Sequence, residues 1–350
     1  MNRFTVVLDD LLRDMQSQGR TGTQDSYLAT YRSVFSFSGK RSITIEEVFT
    51  KDFLHRYQNY LLSKGCCYNT ISSYMRVLRA IRNKAERRGL IQTEADLFDK
   101  LYTGSEPTRK RAISGDTILK MNDADLARHP HLIISRDMFM LSFHLQGMSF
   151  IDLAHLRKAD FKDGYITYRR RKTGSPVNIE VLPPAIEILN RYHSTDNQSP
   201  YLLALIQEDG ENKATPYRSL LRKYNRHLKA LAEILEIKEN LTSYVARHSW
   251  ATAAYHIGVP TTIISEAMGH KTEEVTRVYL AAFSTETLAY ANKMIWEALF
   301  EGKTTNKFTK KLKENNGNGW TKNVSLLGRE RHESDAKLKR TMHIRKHSLS

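Results

Sequence analysis

The chain has 350 residues, 40% hydrophobic and 26% charged, which is a composition typical of a soluble globular protein long enough for two domains. Its net charge of +16 favours a polyanionic partner, although a basic surface can also serve only to maintain solubility. Charge alone does not distinguish between DNA, RNA and acidic lipid as that partner. The longest apolar runs are shorter than the roughly 18 residues that a membrane span requires. The two cysteines, Cys66 and Cys67, are adjacent and cannot form a disulfide between distant segments, which fits a reducing cytoplasm.

Residues 1–103 are predicted to be helical throughout. Apolar side chains recur at helical spacing in three segments, which are Phe4 to Gln18, Thr23 to Phe37 and Ile45 to Ser63. A fourth helix can be capped by Asn69 or Thr70. Its predicted buried face consists of Ile71, Tyr74, Met75, Leu78, Ile81 and Ala85.

The opposite face of this fourth helix is basic. At 100° per residue it carries Ser72, Arg76, Arg79, Asn83, Lys84 and Arg87, with Glu86 near its edge. A solvated charged face is the common explanation for such a pattern. The near absence of acidic partners favours DNA contact, in which such side chains bind phosphates and only some read bases. The predicted DNA-binding residues here are Arg76, Arg79, Lys84 and Arg87.

Residues 104–111 are predicted to form a linker, because Gly104 and Pro107 interrupt regular structure. Arg109 and Lys110 within it favour contact with phosphate. Beyond the linker, Ser114 is a predicted N-cap for a helix from Asp116 to Asn122. The helical patterns that follow are Arg136 to Leu145, a segment starting at Pro183 and Pro184, and Tyr217 to Leu235.

The clear β signal in the sequence is a hairpin. It consists of strands from Tyr165 to Arg171 and Val177 to Leu182, joined by a turn from Lys172 to Pro176 and preceded by the Asp163-Gly164 turn. Residues two apart on a strand share a face, so Arg170 is predicted to project on the same side as Lys172. Arg169 and Arg171 would then point to the other face, towards the DNA backbone.

The segment from Leu241 to Leu280 concentrates polar residues on three short predicted helices. These run from Arg247 to His256, from Thr262 to Met268 and from Glu273 to Ala281. Gly258 and Pro260 stop the first helix, and Gly269 ends the second. Short helices separated by turns can bring Arg247, His270 and Tyr279 together.

This segment resembles the C-terminal signature of the tyrosine recombinases, also called the phage integrase family. The family pattern is H-x-x-R, then G-H, then a nucleophilic tyrosine nine positions later, which matches Arg247, Gly269-His270 and Tyr279. The string NTISSYMRVLRAIRNKA also resembles the last helix of the family's core-binding domain, which lies in a DNA groove. The resemblance covers roughly residues 20–300.

The resemblance implies a mainly α fold with a small β-sheet. A helical core-binding domain at residues 1–103 and a mixed α/β catalytic domain at 112–300 would form a C-shaped clamp around duplex DNA. Residues 301–350 contain thirteen Lys or Arg against five Asp or Glu, and they are predicted to be a disordered basic tail. Such a tail would raise nonspecific DNA affinity, or it is an incidental extension.

The implied chemistry is ester exchange. Tyr279 would attack a DNA phosphate, Arg247 and His270 would bind that phosphate, and Lys172 would protonate the leaving 5′ oxygen. A phenol with a pKa near 10 needs a proton acceptor or nearby cations to react at neutral pH. Bond energy stays nearly level in the exchange, so neither ATP nor a metal is required. The sequence accordingly has no Gly-rich phosphate loop and no His/Cys cluster at zinc spacing, and we predict no cofactor.

Two positions depart from the family pattern. Ser149 stands where the family has its first arginine, and Tyr244 stands where it has its first histidine, while Asp152 matches the supporting acidic residue. Arg170 is the candidate replacement for the missing guanidinium. Tyr244 is either a hydrogen-bond donor to a phosphate oxygen or a packed structural residue. His248 is predicted to point about 100° away from Arg247. Both departures recur in a subset of bacterial integrases and invertases from mobile elements.

The sequence is therefore interpreted as a site-specific recombinase, an integrase or invertase, acting in the cytoplasm on nucleoid DNA. Its implied partners are double-stranded DNA and copies of itself: a homotetramer on two DNA sites, and a monomer or weak dimer when free. A predicted helix at residues 285–300 would dock into a neighbouring protomer, and an accessory DNA-bending protein is left open. The alternatives are a noncatalytic DNA-binding protein and a relaxing topoisomerase.

Overall fold

The computed structural model describes residues 4–40, 42–108, 111–206, 217–280 and 292. The chain divides into two compact units, Met1–Thr108 and Arg109–Ser350. Among the described residues, no helix is both long enough and apolar enough to cross a membrane. Arg109, Lys110, the tail at 301–350 and the predicted docking helix at 285–300, apart from residue 292, lie outside the described residues.

The first unit consists of helices that enclose one apolar core. They are α1 (Phe4–Ser17), α2 (Thr21–Ser38), α3 (Ile45–Val48), α4 (Lys51–Ser63) and α5 (Tyr68–Arg87). The prediction of one helix from Ile45 to Ser63 is wrong. The helix is broken because the Thr50 hydroxyl accepts a hydrogen bond from the Phe53 N–H and so caps a new helix, α4.

The N-cap position of helix α5 is Cys67, which makes no side-chain capping hydrogen bond, rather than the predicted Asn69 or Thr70. Its core face matches the prediction except at Tyr74, which is half-buried. Ser72, predicted to be on the polar face, is buried and donates a hydrogen bond to the Gly104 carbonyl (2.6 Å). The polar face is thus partly covered by the chain that follows the helix.

Residues 102–106, which include the start of the predicted linker, run along α5. The Asn69 side chain exchanges two hydrogen bonds with the backbone of Glu106, at 2.8 and 2.9 Å. Arg76 donates to the carbonyls of Thr103 (2.9 Å) and Gly104 (3.1 Å). Asn69, a predicted cap residue, and Arg76, a predicted residue of the polar face, therefore hold a backbone segment of their own unit.

The second unit has a helical core beside a small sheet. Its helices are α6 (Gly115–Asn122), α7 (Pro130–His144), α8 (Phe150–Ala154), α9 (Pro183–Tyr192), α10 (Tyr217–Ile234), α11 (Val245–His256), α12 (Thr261–Ala267) and α13 (Glu273–Arg277). The Ser114 hydroxyl caps α6 by accepting a hydrogen bond from the Thr117 N–H, as predicted. Buried residues of α7, α10, the sheet and the start of α11 share one apolar core.

The sheet is antiparallel, in the order β1 (Phe161–Lys162), β2 (Tyr165–Arg169) and β3 (Pro176–Glu180). The predicted hairpin is β2–β3, and β1 adds a third strand through the Asp163-Gly164 turn. Both turn residues have positive φ (52° and 81°), as a two-residue hairpin turn requires. Side chains of β2 alternate between buried and exposed, which determines the direction of the arginines that follow it.

The prediction that Tyr279 lies on a helix is wrong. Helix α13 ends at Arg277, and Tyr279 follows in a turn where its N–H bonds to the Thr276 carbonyl (2.8 Å). Val275 and Val278, which lie close to it in the sequence, are exposed. The backbone of Tyr279 is instead held through its carbonyl, which accepts a hydrogen bond from the Thr252 hydroxyl on α11 (3.2 Å).

Candidate active site

Two buried arginines from distant segments hold the turn after α12. Arg247, in the first turn of α11, donates to the Met268 carbonyl (2.6 Å) and to the Gly147 carbonyl (2.7 Å). Arg170, one residue past β2, donates to the Gly269 carbonyl (3.0 Å). The two guanidinium groups therefore bind consecutive carbonyls immediately before His270.

The approach of Arg247 depends on a glycine with left-handed geometry. Gly147 has φ +70°, and a Cβ atom there would lie 2.9 Å from the Arg247 Cα. Gln146 before it also has positive φ (55°). This paired left-handed turn presents the Gly147 carbonyl to the guanidinium, which explains why the backbone here tolerates little beyond glycine.

His270 is held in one neutral tautomer. Its Nε2 accepts a hydrogen bond from Arg247 (3.0 Å), and its Nδ1–H donates to the Thr276 hydroxyl (2.8 Å). Burial, followed by the charges of Arg247, Arg170 and Lys172, lowers the pKa of His270 to about 3. The imidazole is therefore uncharged at neutral pH. No motif in the sequence indicates the hydrogen bond from His270 to Thr276.

Stability should depend on pH through His270. Its pKa lies below the usual 6.5 in the folded state, so the unfolded chain binds more protons as pH falls from about 6.5 towards 3. This group therefore reduces stability progressively on acidification. In His270→Gln the fall in the urea midpoint between pH 7 and pH 4 should be shallower than in the wild type. Parallel pH profiles for the two proteins would contradict the assignment.

Ser149 occupies the position of the family's first arginine and bonds to a carboxylate. It is buried, and its hydroxyl donates to Asp152 Oδ2 (2.6 Å). The Arg171 N–H donates to the other oxygen of Asp152 (2.8 Å), and Arg170 Nε lies 3.8 Å from Oδ2. Asp152 therefore links the serine to the arginine-bearing end of β2.

Positive charge in this pocket exceeds negative charge among the described residues. Arg247 and Arg170 are 2% and 3% exposed, and Asp152 is the buried carboxylate beside them. Within the part of the chain that the structure describes, the buried Nε–H of each arginine has no hydrogen-bond partner. Buried cations with unused donors form a pocket suited to an anion.

Tyr279 lies against this pocket in the same chain. Its ring centroid is 5.8 Å from Arg247 Cζ and 5.1 Å from the His270 ring centroid. It also contacts the His248 ring, with centroids 4.5 Å apart. The predicted angle of about 100° relates His248 to Arg247 alone, and the structure adds that the His248 ring lies against Tyr279.

The remaining predicted catalytic residues lie at the edge of the pocket. Lys172 is exposed in the hairpin turn, and its charge is one of those that lower the pKa of His270. Arg170 is buried and Lys172 is exposed, and because the strand ends at Arg169, strand alternation does not relate the directions of these two side chains. Tyr244 is half-buried at the N-cap of α11, 6.5 Å from the His248 ring.

Arg169 and Arg171 are both exposed, on the face of the hairpin opposite the buried Arg170. Arg169 donates to the Gly174 carbonyl across the turn (3.2 Å). The strand alternation that buries Ile166 and Tyr168 continues through Arg170, which explains this division.

In the first unit, the basic residues of α5 have different surroundings. Arg79 lies over the Phe98 ring (5.2 Å), and Lys84 lies over the Tyr27 ring (5.5 Å). Burial and the nearby charge of Arg20 lower the pKa of Lys84, and Arg88 and Arg87 act in the same direction. Arg87 is exposed.

Arg20 and Arg88 were not predicted as site residues. Arg20 lies immediately before α2, and Arg88, which pairs with Asp14 (2.8 Å), immediately follows α5. No local pattern in the sequence places Arg20 near Lys84, because the two residues come together only in the folded unit.

Within the described ranges, no group of three or more His, Cys, Asp or Glu side chains is arranged to hold a metal ion. The contacts described above define the candidate site as Arg247, Arg170, His270, Lys172 and Tyr279. Asp152, Thr276 and His248 contact members of this set.

Comparison with known proteins identifies the family. The model of the phage integrase SAM-like domain matches residues 3–99, and that of the phage integrase family matches residues 112–286. A curated tyrosine recombinase from Thermosipho africanus (strain TCF52B) is 22% identical over 304 residues, covering 84% of this chain and all of that protein.

Solved structures have the same fold. A lambda integrase dimer bound to a COC′ core site matches with a TM-score of 0.58 and 16% identity, over 79% of this chain and 95% of that one. The Tn1549 transposon integrase in complex with circular intermediate DNA matches with a TM-score of 0.57 and 16% identity, over 82% and 98%. The predicted mainly α fold with a small sheet is confirmed. The chain belongs to the phage integrase family, the family of the tyrosine recombinases.

Proposed function

We propose that this protein is a site-specific DNA recombinase that cuts and rejoins duplex DNA through a 3′-phosphotyrosine at Tyr279. The observation that carries the proposal is the contact of Tyr279 with Arg247 and His270 within one chain. A nucleophile beside a buried cationic pocket is suited to a phosphodiester, whose nonbridging oxygens gain charge in the transition state.

Each residue of the pocket has a role in the proposed reaction. The Tyr279 phenol, beside the positive charge of Arg247, loses its proton to solvent, and its oxygen attacks phosphorus. The bond to the 5′ oxygen breaks as Lys172 gives its proton to that oxygen, and Lys172 recovers a proton from the attacking 5′-hydroxyl in the reverse step. The guanidinium groups of Arg247 and Arg170, which lie beside Tyr279 and before His270, supply positive charge and N–H donors to the nonbridging oxygens. His270, neutral and bonded to Arg247, fixes the guanidinium. The 5′-hydroxyl of a partner strand then reverses the attack and releases Tyr279.

We also propose that the chain belongs to a subset of the family that lacks the first arginine and the first histidine. Ser149 and Tyr244 stand at those positions. Arg170 replaces the missing guanidinium, since it is buried beside Asp152, the carboxylate to which Ser149 donates. Tyr244, at the start of α11, supplies a hydroxyl rather than an imidazole.

Double-stranded DNA is the proposed partner. The exposed Arg169 and Arg171 and the basic residues of the first unit would bind its phosphates, and Arg20 and Arg88 extend that set. The related lambda integrase has been solved as a tetramer bound to a Holliday junction. A homotetramer on two sites is proposed here by that analogy, acting on nucleoid DNA.

The test is covalent adduct formation on nicked duplexes that tile the DNA flanking the gene. A recombinase should form a denaturation-resistant adduct whose DNA maps by mass spectrometry to the peptide containing Tyr279, and it should join strands from two duplexes. Binding without an adduct would indicate the noncatalytic DNA-binding protein. An adduct and relaxation without joining would indicate the topoisomerase-like alternative.

A further inference from the structure

The structure places an imidazole one helical turn beyond the position where the histidine is missing. Tyr244 and His248 are four residues apart at the start of α11, and such residues share a helix face. The ring centroids of Tyr244 and His248 are 6.5 Å apart. Arg247 and His248 are adjacent in the sequence and are therefore about 100° apart around the helix axis. Arg247 thus lies on a different side of α11 from the one that Tyr244 and His248 share.

His248 contacts the nucleophile rather than the arginine. It is 9% exposed, and its ring centroid lies 4.5 Å from that of Tyr279, closer than the His270 centroid at 5.1 Å. The planes of the His248 and Tyr279 rings are inclined by 35°. This contact joins ring faces, whereas a hydrogen bond to the phenol oxygen would use an in-plane nitrogen.

The ring of Tyr279 is oriented by contacts from other segments, while Leu280 beside it is buried in a small apolar cluster with residues of α11 and α12. Tyr279 follows the end of α13, and its neighbours Val275 and Val278 are exposed. Its carbonyl is bonded to Thr252, which fixes the backbone but leaves the ring to be oriented by what it touches. An attacking oxygen must be held close to its in-line position, since a displacement of about 1 Å can cost about 100-fold in rate.

We propose that His248 is a positioning residue, which holds the phenol ring of Tyr279 against Arg247 and His270 and so fixes the attacking oxygen. The proposal rests on the proposed recombinase function. In this arrangement the imidazole acts through shape and ring contact. A flat ring without nitrogen should therefore replace it, whereas a methyl group should not.

The experiment compares His248→Ala and His248→Phe in single-turnover adduct formation on a nicked duplex, with DNA affinity measured in parallel. His248→Ala should react about 10- to 100-fold more slowly at saturating DNA, with DNA affinity within about threefold of the wild type. His248→Phe should recover most of the rate. The ratio of wild-type to alanine rates should stay constant between pH 6 and pH 9, because positioning does not titrate.

Nitration of Tyr279 by tetranitromethane, read by mass spectrometry, gives a second measurement that needs no DNA. His248→Ala should expose the ring and speed nitration several-fold, and His248→Phe should not. His256→Ala is the matched control, since His256 is also buried on α11 and has no role in the site. It should leave both nitration of Tyr279 and the adduct rate of the folded protein unchanged.

The proposal is overturned if His248→Ala reacts and nitrates at wild-type rates. It is equally overturned if His248→Phe is as slow as His248→Ala, or if their rate deficits vary with pH, since either result would assign His248 a chemical role. Failure of the wild-type protein to form any adduct would instead overturn the proposed recombinase function, so the two failures are distinguishable.

Discussion

Arg170→Ala is expected to slow covalent adduct formation about 10²- to 10³-fold, because it removes fixed donors from the charge that develops on the phosphate. Arg170 is buried, its Nε lies 3.8 Å from Asp152 Oδ2, and that Nε–H has no hydrogen-bond partner among the described residues. The matched variant is Arg169→Ala, which removes the neighbouring guanidinium from the exposed face. It should retain the single-turnover rate within about threefold and should weaken only DNA binding, through lost phosphate contact.

A control must separate catalysis from folding, since truncating a buried charged residue can itself cost about 3–5 kcal/mol of stability. Arg170→Lys keeps the positive charge near Asp152 and loses the planar guanidinium. It should remain folded by circular dichroism, bind DNA and still react slowly. If Arg170→Ala cleaved normally and Arg169→Ala were inactive, the proposed catalytic cation would lie on the wrong face of the hairpin.

Local periodicity predicted the features that depend on a single segment. Helical spacing gave the core face of α5, and hairpin signals gave β2 and β3. Strand alternation predicted that Arg170 differs in direction from Arg169 and Arg171, which agrees with their burial. Alternation does not apply to Lys172, because β2 ends at Arg169 and the turn begins there. Helical spacing failed at Ser72, which is buried by residues 102–106, a segment outside its own helix.

The parts of the site that could not be predicted are contacts between segments. Thr276 fixes the tautomer of His270, yet nothing in the spacing of the two residues indicates a hydrogen bond. The helical angle between His248 and Arg247 does not indicate that His248 contacts a tyrosine 31 positions later in the chain. Tyr279 itself was assigned to a helix that ends before it. Such contacts depend on how α11, α12 and α13 pack, and sequence period carries no information on that packing.

Gly269→Ala is expected to damage both the stability and the chemistry of the second unit. Gly269 has φ +60°, and an added Cβ would lie 2.7 Å from both Arg170 Cδ and Val177 Cγ2. The left-handed backbone should cost about 1–2 kcal/mol for a residue with a Cβ, and overpacking should add about 1–3 kcal/mol. Because the displaced atoms include the side chain of Arg170, the adduct rate should also fall at least about tenfold.

Gly258→Ala is the matched control, because the two glycines end helices in the same way. Gly258 follows α11 and has φ +89°. The N–H of Val259, the residue after it, donates to the Ala254 carbonyl, just as the N–H of His270, the residue after Gly269, donates to the Ser265 carbonyl. A Cβ at Gly258 would meet no atom within 4 Å among the described residues, so only the backbone cost applies. Urea unfolding followed by circular dichroism should show a smaller loss for Gly258→Ala, with a near-normal adduct rate. Equal losses of stability and rate in the two variants would mean that backbone strain, rather than the approach of Arg170, determines why glycine is needed before His270.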